Sequence, residues 1–442
     1  MDKHLQELIT REEKRQENTL TLIPSENYAS RAVREAVGSV LSNKYSEGYP
    51  GRRYYQGNDL VDEVERLAIE RAKKLFNVPH ANVQPYSGSP ANSAVLFALC
   101  EPGDTIMGME LASGGHLTHG QPKITFSGKY FRSVQFGVEG DGTIDYKKVQ
   151  ALAKAEKPRV IIIGTTAYPL ALDWKLFGEI ADSVGAYLVA DIAHVVGLII
   201  GNVYPSPFPY AHIVTTTTHK TLRGPRGAMI MVTEKGLGKY GKLGEDIDRA
   251  VFPGLQGGPH NNTTAGIAQA LFEADTPEFK KYAKQVVANA KVLAQALQEG
   301  SSLARRPLAR LKLIGGGTES HLMLVDLRPN GLSGNVVAEA LEKARIVCNK
   351  NSIPGDTSPF YPSGIRLGTP AVTTRGMGET EMTKIAEWII KAVGEVENEK
   401  LPEDKDGKQA FLKEFKVRIK GNKVLQEIAG KVKDLCQKFP VP

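Results

Sequence analysis

Short apolar runs recur along the first half of the chain, and a polar or glycine-rich segment follows each of them. The runs at residues 104–109, 158–163, 186–190 and 212–214 have the length of buried strands. Residues 90–99 show helical periodicity instead, directly after a turn-type sequence. The spacing between the last two runs leaves room for one intervening segment and a return strand, which predicts a parallel sheet.

Helical periodicity dominates the second half of the chain. Residues 264–274 and 279–300 predict a long helical region that connects to a smaller C-terminal domain. At the other end, the chain begins with a charged amphipathic helix, Pro24 breaks that pattern, and Ser25 is placed to cap the next helix. The tail from about residue 399 to residue 442 alternates lysine with apolar residues, which predicts one or two amphipathic helices.

The composition is that of an ordinary globular protein. The chain has 442 residues, of which 41% are hydrophobic and 24% charged, enough for two or more domains and a large core. No stretch approaches the roughly eighteen continuous apolar residues of a membrane span, and residues 1–16 lack the apolar core of a signal peptide. We therefore expect a cytoplasmic protein. The three widely spaced cysteines suggest neither a disulfide framework nor a zinc site, and no metal is expected.

The net charge of +7 and the pI near 9.0 are compatible with anionic partners. Because lysines and arginines are spread along the chain, we attribute the excess mainly to solvated surface, with a contribution from ligands that carry phosphate, carboxylate or a polyglutamate tail. A nucleic-acid-binding or protein-binding role of the lysine-rich tail stays open beside catalysis.

The first candidate for covalent chemistry is Lys220. Apolar residues lead into four threonines, His219 and Lys220, and a turn rich in glycine, proline and arginine follows. A lysine at the end of a buried strand is partly desolvated, which favours the neutral amine and lets it form a Schiff base with a carbonyl. Taken alone, such a lysine is more often a surface residue.

Asp191 ends the apolar run at 186–190 and lies 29 positions before Lys220. A carboxylate at this position can keep a pyridinium nitrogen protonated, which a pyridoxal ring requires in order to act as an electron sink. Asp191 alone is as well explained by a helix cap. Its combination with Lys220 and with a phosphate site upstream favours the cofactor interpretation.

That phosphate site is the turn of Ser87, Gly88 and Ser89, which precedes a helical pattern. Pro90 suits the first helical turn, because its missing N–H would be unpaired there. Free backbone N–H groups at a helix N-terminus, with two hydroxyls, can bind a phosphate dianion. On its own, the turn is more often a plain helix cap.

These residues belong to a series of separated motifs whose order resembles that of the serine hydroxymethyltransferase family. The similarity runs from about residue 20 to residue 374 and includes SENYAS, NKYSEGYPGRRYYQG, SGSPAN, LTHG, DIAHVVG, TTTTHKTLRGPRG, FPGLQGGP, NKNSIP and SGIRLGTPA. The resemblance implies an α/β fold of the type I pyridoxal-phosphate transferases. Its large domain would hold a mostly parallel seven-stranded sheet between helices, and a smaller α+β domain would follow. The implied reaction moves the hydroxymethyl carbon of serine to tetrahydrofolate, giving glycine and 5,10-methylenetetrahydrofolate.

The resemblance also implies site residues. The implied catalytic residues are Lys220, Glu47, His116, Asp191, His194, Thr166 and Tyr55. The implied cofactor contacts are Tyr45, Ser87, Gly88, Ser89, His116, Thr166, Asp191, His194, His219, Lys220 and Gly258. The implied substrate contacts are Ser25, Glu47, Tyr54, Tyr55, Arg226 and Arg366, and the implied folate contacts are Leu111, Gly115, His116, Leu117, Ser358, Pro359 and Phe360.

Several of these roles have a physical reason. His116 would stack on the pyridine ring, and Glu47 would handle the proton of the serine hydroxyl. Arg366 carries a guanidinium that can pair bidentately with the carboxylate of an amino acid, although an isolated arginine is as often part of a structural ion pair. In the family, the groups at the positions of Tyr45, Glu47 and Gly258 act in the active site of the partner subunit. An obligate homodimer, and possibly a tetramer, is therefore expected.

The implied domain organisation has four segments. They are an N-terminal arm with the dimer contact at 1–50, a large cofactor-binding domain at 51–275, a small domain at 276–400 and a helical tail at 401–442.

Some positions depart from the family pattern. Tyr86 and Ser113 stand where histidine is common, Pro90 where glutamine is common, and Leu170 where arginine is often found. Ser113 and Leu170 bear on pterin affinity and substrate range. A folate-independent aldolase of β-hydroxy amino acids on the same fold is the nearest alternative function.

Overall fold

The computed structural model describes residues 1–300 and 310–442, which form two compact units. One unit comprises Ala29–Lys284, and the other comprises Met1–Tyr28 with Gln285–Pro442. Among the described residues, no helix combines the length and the apolar character that a membrane crossing requires.

Fifteen strands occur in the described residues. They are β1 (Leu20–Thr21), β2 (Gly48–Tyr49), β3 (Arg52–Arg53), β4 (His80–Asn82), β5 (Thr105–Met109), β6 (Arg132–Phe136), β7 (Val160–Gly164), β8 (Tyr187–Asp191), β9 (Ile213–Thr217), β10 (Ala228–Val232), β11 (Lys312–Leu313), β12 (Leu322–Asp326), β13 (Ile346–Val347), β14 (Asn349–Asn351) and β15 (Gly364–Gly368).

Seventeen α-helices occur in the same part of the chain. They are α1 (Lys3–Glu17), α2 (Arg31–Val37), α3 (Asp59–Phe76), α4 (Gly88–Leu99), α5 (Phe126–Tyr130), α6 (Tyr146–Glu156), α7 (Trp174–Ser183), α8 (Val196–Ile200), α9 (Glu234–Lys239), α10 (Leu243–Arg249), α11 (Asn261–Ala274), α12 (Pro277–Glu299), α13 (Gly334–Lys343), α14 (Pro370–Thr374), α15 (Glu379–Gly394), α16 (Lys405–Arg418) and α17 (Lys423–Lys438). Helix α2 is capped by Ser30, whose side chain accepts from the N–H of Val33, so the predicted cap at Ser25 is wrong.

The unit Ala29–Lys284 is built on a seven-stranded sheet of order β4-β10-β9-β8-β7-β5-β6. Strands β5 to β9 run parallel, and β10 is antiparallel to both of its neighbours. The predicted α/β class with a mostly parallel seven-stranded sheet is therefore confirmed. Strands β7 and β10 are buried along their whole length, which explains why they appear in the sequence as continuous apolar runs rather than alternating ones. Strand β9 is equally buried, although it ends in three threonines.

The sheet brings the chemistry-bearing segments to one edge. The register pairs Gly164 with Asp191 and Asp191 with Thr215, so the carboxyl ends of β7, β8 and β9 lie side by side. Ligand sites of open α/β sheets form at this edge, because the loops after parallel strands converge there.

The other unit holds a four-stranded antiparallel sheet of order β11-β12-β15-β14, and β1 pairs in parallel with β13. Its core contains apolar side chains of α13, α15 and the C-terminal helices, such as Leu341, Ile389 and Ile428. The predicted amphipathic tail forms two helices, α16 and α17, and α17 buries Leu425, Ile428, Val432, Leu435 and Cys436. Burying this apolar stripe explains why lysines alternate with apolar residues in the tail.

Candidate active site

Lys220 lies in a cavity of about 190 Å³ at the carboxyl edge of the seven-stranded sheet. Ten predicted site residues line this cavity, and we call them the Lys220 group. They are Ser87, Gly88, Ser89, His116, Thr166, Asp191, His194, His219, Lys220 and Arg226. Residues from five separate segments of the sequence thus meet in one cavity.

Asp191 is held from both carboxylate oxygens. Its Oδ2 accepts from His119 Nε2 at 3.0 Å and from Asn92 Nδ2 at 2.8 Å, and its Oδ1 accepts from the backbone N–H of Ala193 at 3.0 Å. Burial by itself raises the pKa of Asp191, but the hydrogen bond and charge of His119, the charge of His116 and the Asn92 amide lower it more. The net pKa lies well below the usual range, so Asp191 is a fixed anion at neutral pH.

Asn92 is a buried hub that the sequence interpretation missed. Besides Asp191, its Nδ2 donates to Thr118 Oγ1 at 2.8 Å, and its Oδ1 accepts from Thr215 Oγ1 at 2.7 Å. Asn92 lies in the SGSPAN motif, one helical turn beyond Ser89, and that spacing was the available signal. His119, which is fully buried, lies three residues after His116 in the same Gly-rich loop and was also missed.

His116 is held as a neutral ring. Its Nδ1 accepts from the backbone N–H of Thr118 at 3.2 Å and lies 2.7 Å from Thr118 Oγ1. Burial lowers the pKa of His116 to about 4, and His119 and Lys220 act in the same direction against the opposing charge of Asp191. Because Nδ1 accepts, the proton of the neutral ring is on Nε2.

The turn Ser87 to Ser89 opens helix α4. Ser87 occupies the N-cap position, but its side chain makes no capping hydrogen bond. A Cβ at Gly88 would lie 2.8 Å from Thr217 Cγ2, so the close approach to β9 requires glycine. The hydroxyl of Ser87 therefore does not cap α4, which favours an anion site over a plain helix cap.

The turn after β9 fixes the backbone around Lys220. The carbonyl oxygen of Lys220 accepts from the N–H of Arg223 at 3.1 Å, and Arg223 stacks 4.1 Å from the Tyr282 ring centroid. His219 Nε2 lies 3.4 Å from Arg226 Nη1. Burial, followed by the charges of Arg226 and Lys220, lowers the pKa of His219 to about 3, so the ring is neutral.

Thr166 and His194 line the same cavity. The Thr166 hydroxyl donates to the carbonyl oxygen of Gly115 at 3.0 Å, and the Thr166 N–H donates to that of Gly114 at 2.7 Å. Thr166 thus ties β7 to the loop that carries the predicted folate contacts Leu111, Gly115 and Leu117. His194 is 3% exposed, and its carbonyl oxygen accepts from Thr221 Oγ1 at 3.0 Å.

Ser113, one of the departures from the family pattern, is buried inside this loop. Its hydroxyl donates to Glu110 Oε1 at 2.6 Å and accepts from the N–H of Val138 at 3.1 Å. The serine therefore braces the loop from within.

A second set of predicted residues gathers elsewhere in the same unit. This set, the Tyr45 group, consists of Tyr45, Glu47, Tyr55 and Gly258. Tyr45 Oη lies 3.4 Å from Glu47 Oε1, and the rings of Tyr45 and Tyr55 meet edge to face at 5.1 Å. A Cβ at Gly258 would lie 3.3 Å from the Tyr45 ring. Among the described residues, none of the Tyr45 group lines the cavity of Lys220.

Two further residues adjoin the Tyr45 group. Tyr86 donates from its hydroxyl to the carbonyl oxygen of Gly258 at 2.8 Å and stacks on His260 with ring centroids 4.1 Å apart. The N–H of Tyr54 donates to the carbonyl oxygen of Glu47 at 3.0 Å, whereas the Tyr54 ring packs against Phe252 at 5.7 Å.

The remaining predicted residues lie in the unit Met1–Tyr28 with Gln285–Pro442. Arg366 on β15 is 9% exposed, and its Nε donates to Asn349 Oδ1 at 3.1 Å. Burial lowers the pKa of Arg366 to about 10. The desolvated guanidinium of Arg366 suits a small carboxylate ligand. Ser25 is half-buried, and in the predicted folate segment of Ser358, Pro359 and Phe360, the Phe360 side chain is 75% exposed.

The Lys220 group fits pyridoxal phosphate. Lys220 offers an amine for the carbonyl, and Asp191 offers a fixed anion for the ring nitrogen. His116 offers a neutral imidazole, and the Ser87 hydroxyl, which makes no capping hydrogen bond, lies at a helix N-terminus. These are the functions that a protein must supply to hold and activate this cofactor.

Comparisons with known proteins extend the resemblance to the whole chain. A family model described as serine hydroxymethyltransferase matches residues 1–389. A protein of Acidothermus cellulolyticus named serine hydroxymethyltransferase is 54% identical over 443 residues, which cover 100% of this chain and 96% of that protein. A protein of Desulfotalea psychrophila with the same name is 51% identical over 442 residues, which cover 100% and 95%. The similarity therefore includes both compact units.

Proposed function

The chain belongs to the serine hydroxymethyltransferase family, and we propose that the Lys220 group and the Tyr45 group are the two halves of its active site. The reaction is the reversible transfer of the hydroxymethyl carbon of serine to tetrahydrofolate, which gives glycine and 5,10-methylenetetrahydrofolate. Pyridoxal phosphate is the cofactor. The observation that carries the assignment of the site is the meeting of Lys220, Asp191, His116 and the Ser87 turn in one cavity.

Each residue of the Lys220 group has a task in holding the cofactor. When bound, pyridoxal phosphate supplies a carbonyl for amines and a ring that withdraws electrons. Lys220 would hold the cofactor through its amine, Asp191 would keep the ring nitrogen protonated, and neutral His116 would pack beside the ring. Ser87, Ser89 and the N–H groups of α4 would bind the phosphate. His194, Thr166, His219 and Arg226 would complete the surroundings of the ring and the substrate.

The substrate residues bind the amino acid and move its protons. Arg366 pairs with the carboxylate common to serine and glycine, supported by its burial and by its bond to Asn349. Glu47 takes and returns the proton of the serine hydroxyl, and Tyr54, Tyr55 and Ser25 orient the substrate. Leu111, Gly115, Leu117 and Ser358 to Phe360 contact the folate.

The Tyr45 group acts in the active site of the partner subunit of a homodimer. Each chain gives its Tyr45, Glu47 and Gly258 to the cofactor site of the other. The exposure of large apolar side chains on this unit supports a partner surface, since Leu60 is 72% exposed, Phe272 57% and Tyr45 55%. A tetramer would be a further association of such dimers.

The basic test is to purify the chain, record its spectrum and follow serine to glycine conversion with and without tetrahydrofolate. We expect a visible absorbance band from bound cofactor and a conversion rate that rises with tetrahydrofolate. A serine cleavage rate that ignores tetrahydrofolate would instead indicate a folate-independent aldolase. A colourless, inert preparation after addition of pyridoxal phosphate would reject the assignment.

The shared site can be tested by mixing two variants with strongly reduced turnover, Lys220→Ala and Glu47→Gln. If the halves come from different subunits, a mixed dimer has one intact site, and random mixing restores about a quarter of the wild-type sites. If each site belongs to one chain, the mixture has no more activity than its components.

The four-segment organisation, with an arm at 1–50, a cofactor domain at 51–275, a small domain at 276–400 and a tail at 401–442, is part of the same proposal. We also propose that the chain acts in the cytoplasm, which its three free cysteines, Cys100, Cys348 and Cys436, support. Cell fractionation with an antibody to the chain would test the location.

A further inference from the structure

The segment that carries Tyr45, Glu47, Tyr54 and Tyr55 is folded around one buried guanidinium. We call residues 43–57 the Tyr45 loop. Within it, the side chain of Arg53 is 4% exposed. Arg53 Nε donates to Asp62 Oδ1 at 2.8 Å, and Arg53 Nη2 donates to Glu65 Oε2 at 2.6 Å. Two carboxylates of α3 therefore bind the guanidinium.

The remaining nitrogen of Arg53 acts on the loop itself. Nη1 donates to the carbonyl oxygen of Ser46 at 2.9 Å and to that of Gly48 at 2.7 Å. These two carbonyl groups belong to the residues on either side of Glu47. Ser46 and Gly48 are buried, whereas Glu47 between them is half-buried.

We infer that Arg53 is a positioning residue that sets the direction of the Glu47 carboxylate through the backbone of Ser46 and Gly48. This inference rests on the proposed role of Glu47 in moving the proton of the serine hydroxyl. A single guanidinium holds the peptide group before Glu47, through the carbonyl of Ser46, and the peptide group after Gly48, through the carbonyl of Gly48. Turning this three-residue segment would therefore break a charge-assisted hydrogen bond.

The two carboxylates that bind Arg53, Asp62 and Glu65, make further hydrogen bonds of their own. Asp62 Oδ2 accepts from the N–H of Gly51 at 2.5 Å, and Glu65 Oε1 accepts from Gln84 Nε2 at 2.7 Å. The same Gln84 nitrogen donates to the carbonyl oxygen of Gly48 at 3.0 Å. Gly48 has φ +97, and a Cβ there would overlap the carbonyl oxygen of Arg52, so the turn requires glycine.

Lysine could not replace Arg53 in this arrangement. The guanidinium directs N–H groups in one plane toward two carboxylates and two carbonyl oxygens, whereas an ammonium is a single point with three donors. Lysine would keep the positive charge between Asp62 and Glu65 but release at least one of the carbonyl groups beside Glu47. The variant therefore separates geometry from charge.

The experiment is a double-mutant cycle in the holoenzyme with Arg53→Lys, Glu47→Gln and the two combined. A displacement of about 1 Å in a catalytic group can cost about 100-fold in rate, and we expect a fall of that order in kcat for Arg53→Lys. The visible band of the bound cofactor should stay unchanged. In the Glu47→Gln background, Arg53→Lys should lower kcat by less than about twofold, because both changes disable one group.

Arg52→Lys is the matched control, since Arg52 is the exposed neighbour of Arg53 in the same loop. Its kcat should stay within about twofold of wild type. If Arg53→Lys does not fold, Glu65→Gln keeps the guanidinium and its bond to Asp62, and it should lower kcat about tenfold with the same non-additivity.

The outcomes are distinguishable. If the rate losses of Arg53→Lys and Glu47→Gln multiply in the double variant, Arg53 does not act through Glu47 and the inference is wrong, whatever Glu47 does. If Glu47→Gln retains wild-type turnover, the proposed role of Glu47 fails, and the inference fails with it. Full non-additivity, with an unchanged cofactor spectrum, supports both.

Discussion

The Lys220 group and the Tyr45 group differ in how their polar side chains are held in position. In the Lys220 group, buried neighbours hold the functional side chains directly, as Asn92 and His119 hold the carboxylate of Asp191. In the Tyr45 group the side chains of Tyr45 and Tyr55 are exposed, and the buried hydrogen bonds run to the backbone beneath them. If the Tyr45 group acts in a partner subunit as proposed, its side chains must stay accessible, and its own chain then holds them mainly through the backbone.

The two groups also differ in electrostatics. Burial lowers the pKa of His116 to about 4 and that of His219 to about 3, so both imidazoles are neutral beside the fixed anion Asp191. In the exposed group, the charge of Glu47 raises the pKa of Tyr45. The buried half is thus prepared before any ligand arrives, whereas the side chains of Tyr45 and Tyr55 remain exposed.

The largest effect should come from the amine of the buried half. Lys220→Ala removes the group that carries the cofactor, so the visible absorbance band should disappear and turnover should fall by about 1,000-fold or more. Spectroscopy and a serine to glycine assay measure both. Lys175→Ala, at an exposed lysine of α7 that is paired with Glu179, is the control and should change neither. A variant that kept the band and full turnover would remove Lys220 from the site.

The next effect should come from Asn92, which fixes the anion rather than the amine. Asn92→Ala leaves Asp191 without its amide donor, and losing a hydrogen bond to a charged group should weaken cofactor binding by about 10- to 100-fold. Titration of the cofactor-free protein with pyridoxal phosphate measures this directly. Ser93→Ala, the next position of α4, should bind the cofactor as wild type does. Equal affinity for Asn92→Ala and Ser93→Ala would mean that Asp191 needs no support.

The apolar runs of the sequence predicted the parallel sheet and the residues that end its strands, and the family resemblance implied the seven-stranded architecture. Because β7, β8 and β9 are parallel and adjacent, their carboxyl ends had to meet, and Asp191, Thr166 and Lys220 share one cavity. Asn92 and His119 were missed although they lie in quoted motifs. Their partners come from other segments, and a linear pattern does not give the distance between segments.

The ion pairs of Arg53 with Asp62 and Glu65 could not be predicted for the same reason. In the sequence, Arg53 is one of several basic residues in a loop, and Asp62 and Glu65 are typical of the solvated face of a helix. Only the packing of α3 against the loop shows that these charges are buried and paired. The position of Gly258 beside Tyr45 likewise depends on a contact between segments more than 200 residues apart.

A smaller effect should come from Tyr86, which connects the two groups. Tyr86 precedes Ser87 of the phosphate turn, and its hydroxyl holds the carbonyl oxygen of Gly258. Tyr86→Phe removes only that hydrogen bond, which is worth about 1 kcal/mol, so cofactor affinity should fall about fivefold. Tyr130→Phe, at an exposed tyrosine, serves as the control. Unchanged affinity in both variants would show that the two groups are independent.

The smallest effect concerns the pH dependence of stability, which is measured without a catalytic assay. His116 has a lowered pKa of about 4 in the folded chain against an ordinary value of 6.5. Its unfolded form therefore binds more protons between these values, and the stability that it contributes is complete above pH 6.5 and is lost as the pH falls toward 4. Between pH 7 and pH 6, this one group should reduce the free energy of unfolding by about 0.7 kcal/mol. Urea denaturation of the cofactor-free protein at the two pH values measures the change. His116→Gln keeps an acceptor for Thr118 and should lose that portion of the pH dependence. If the variant and the wild type respond equally to pH, the ring of His116 is not held neutral by burial, and the contrast between a prepared half and an open half is weaker than its geometry indicates.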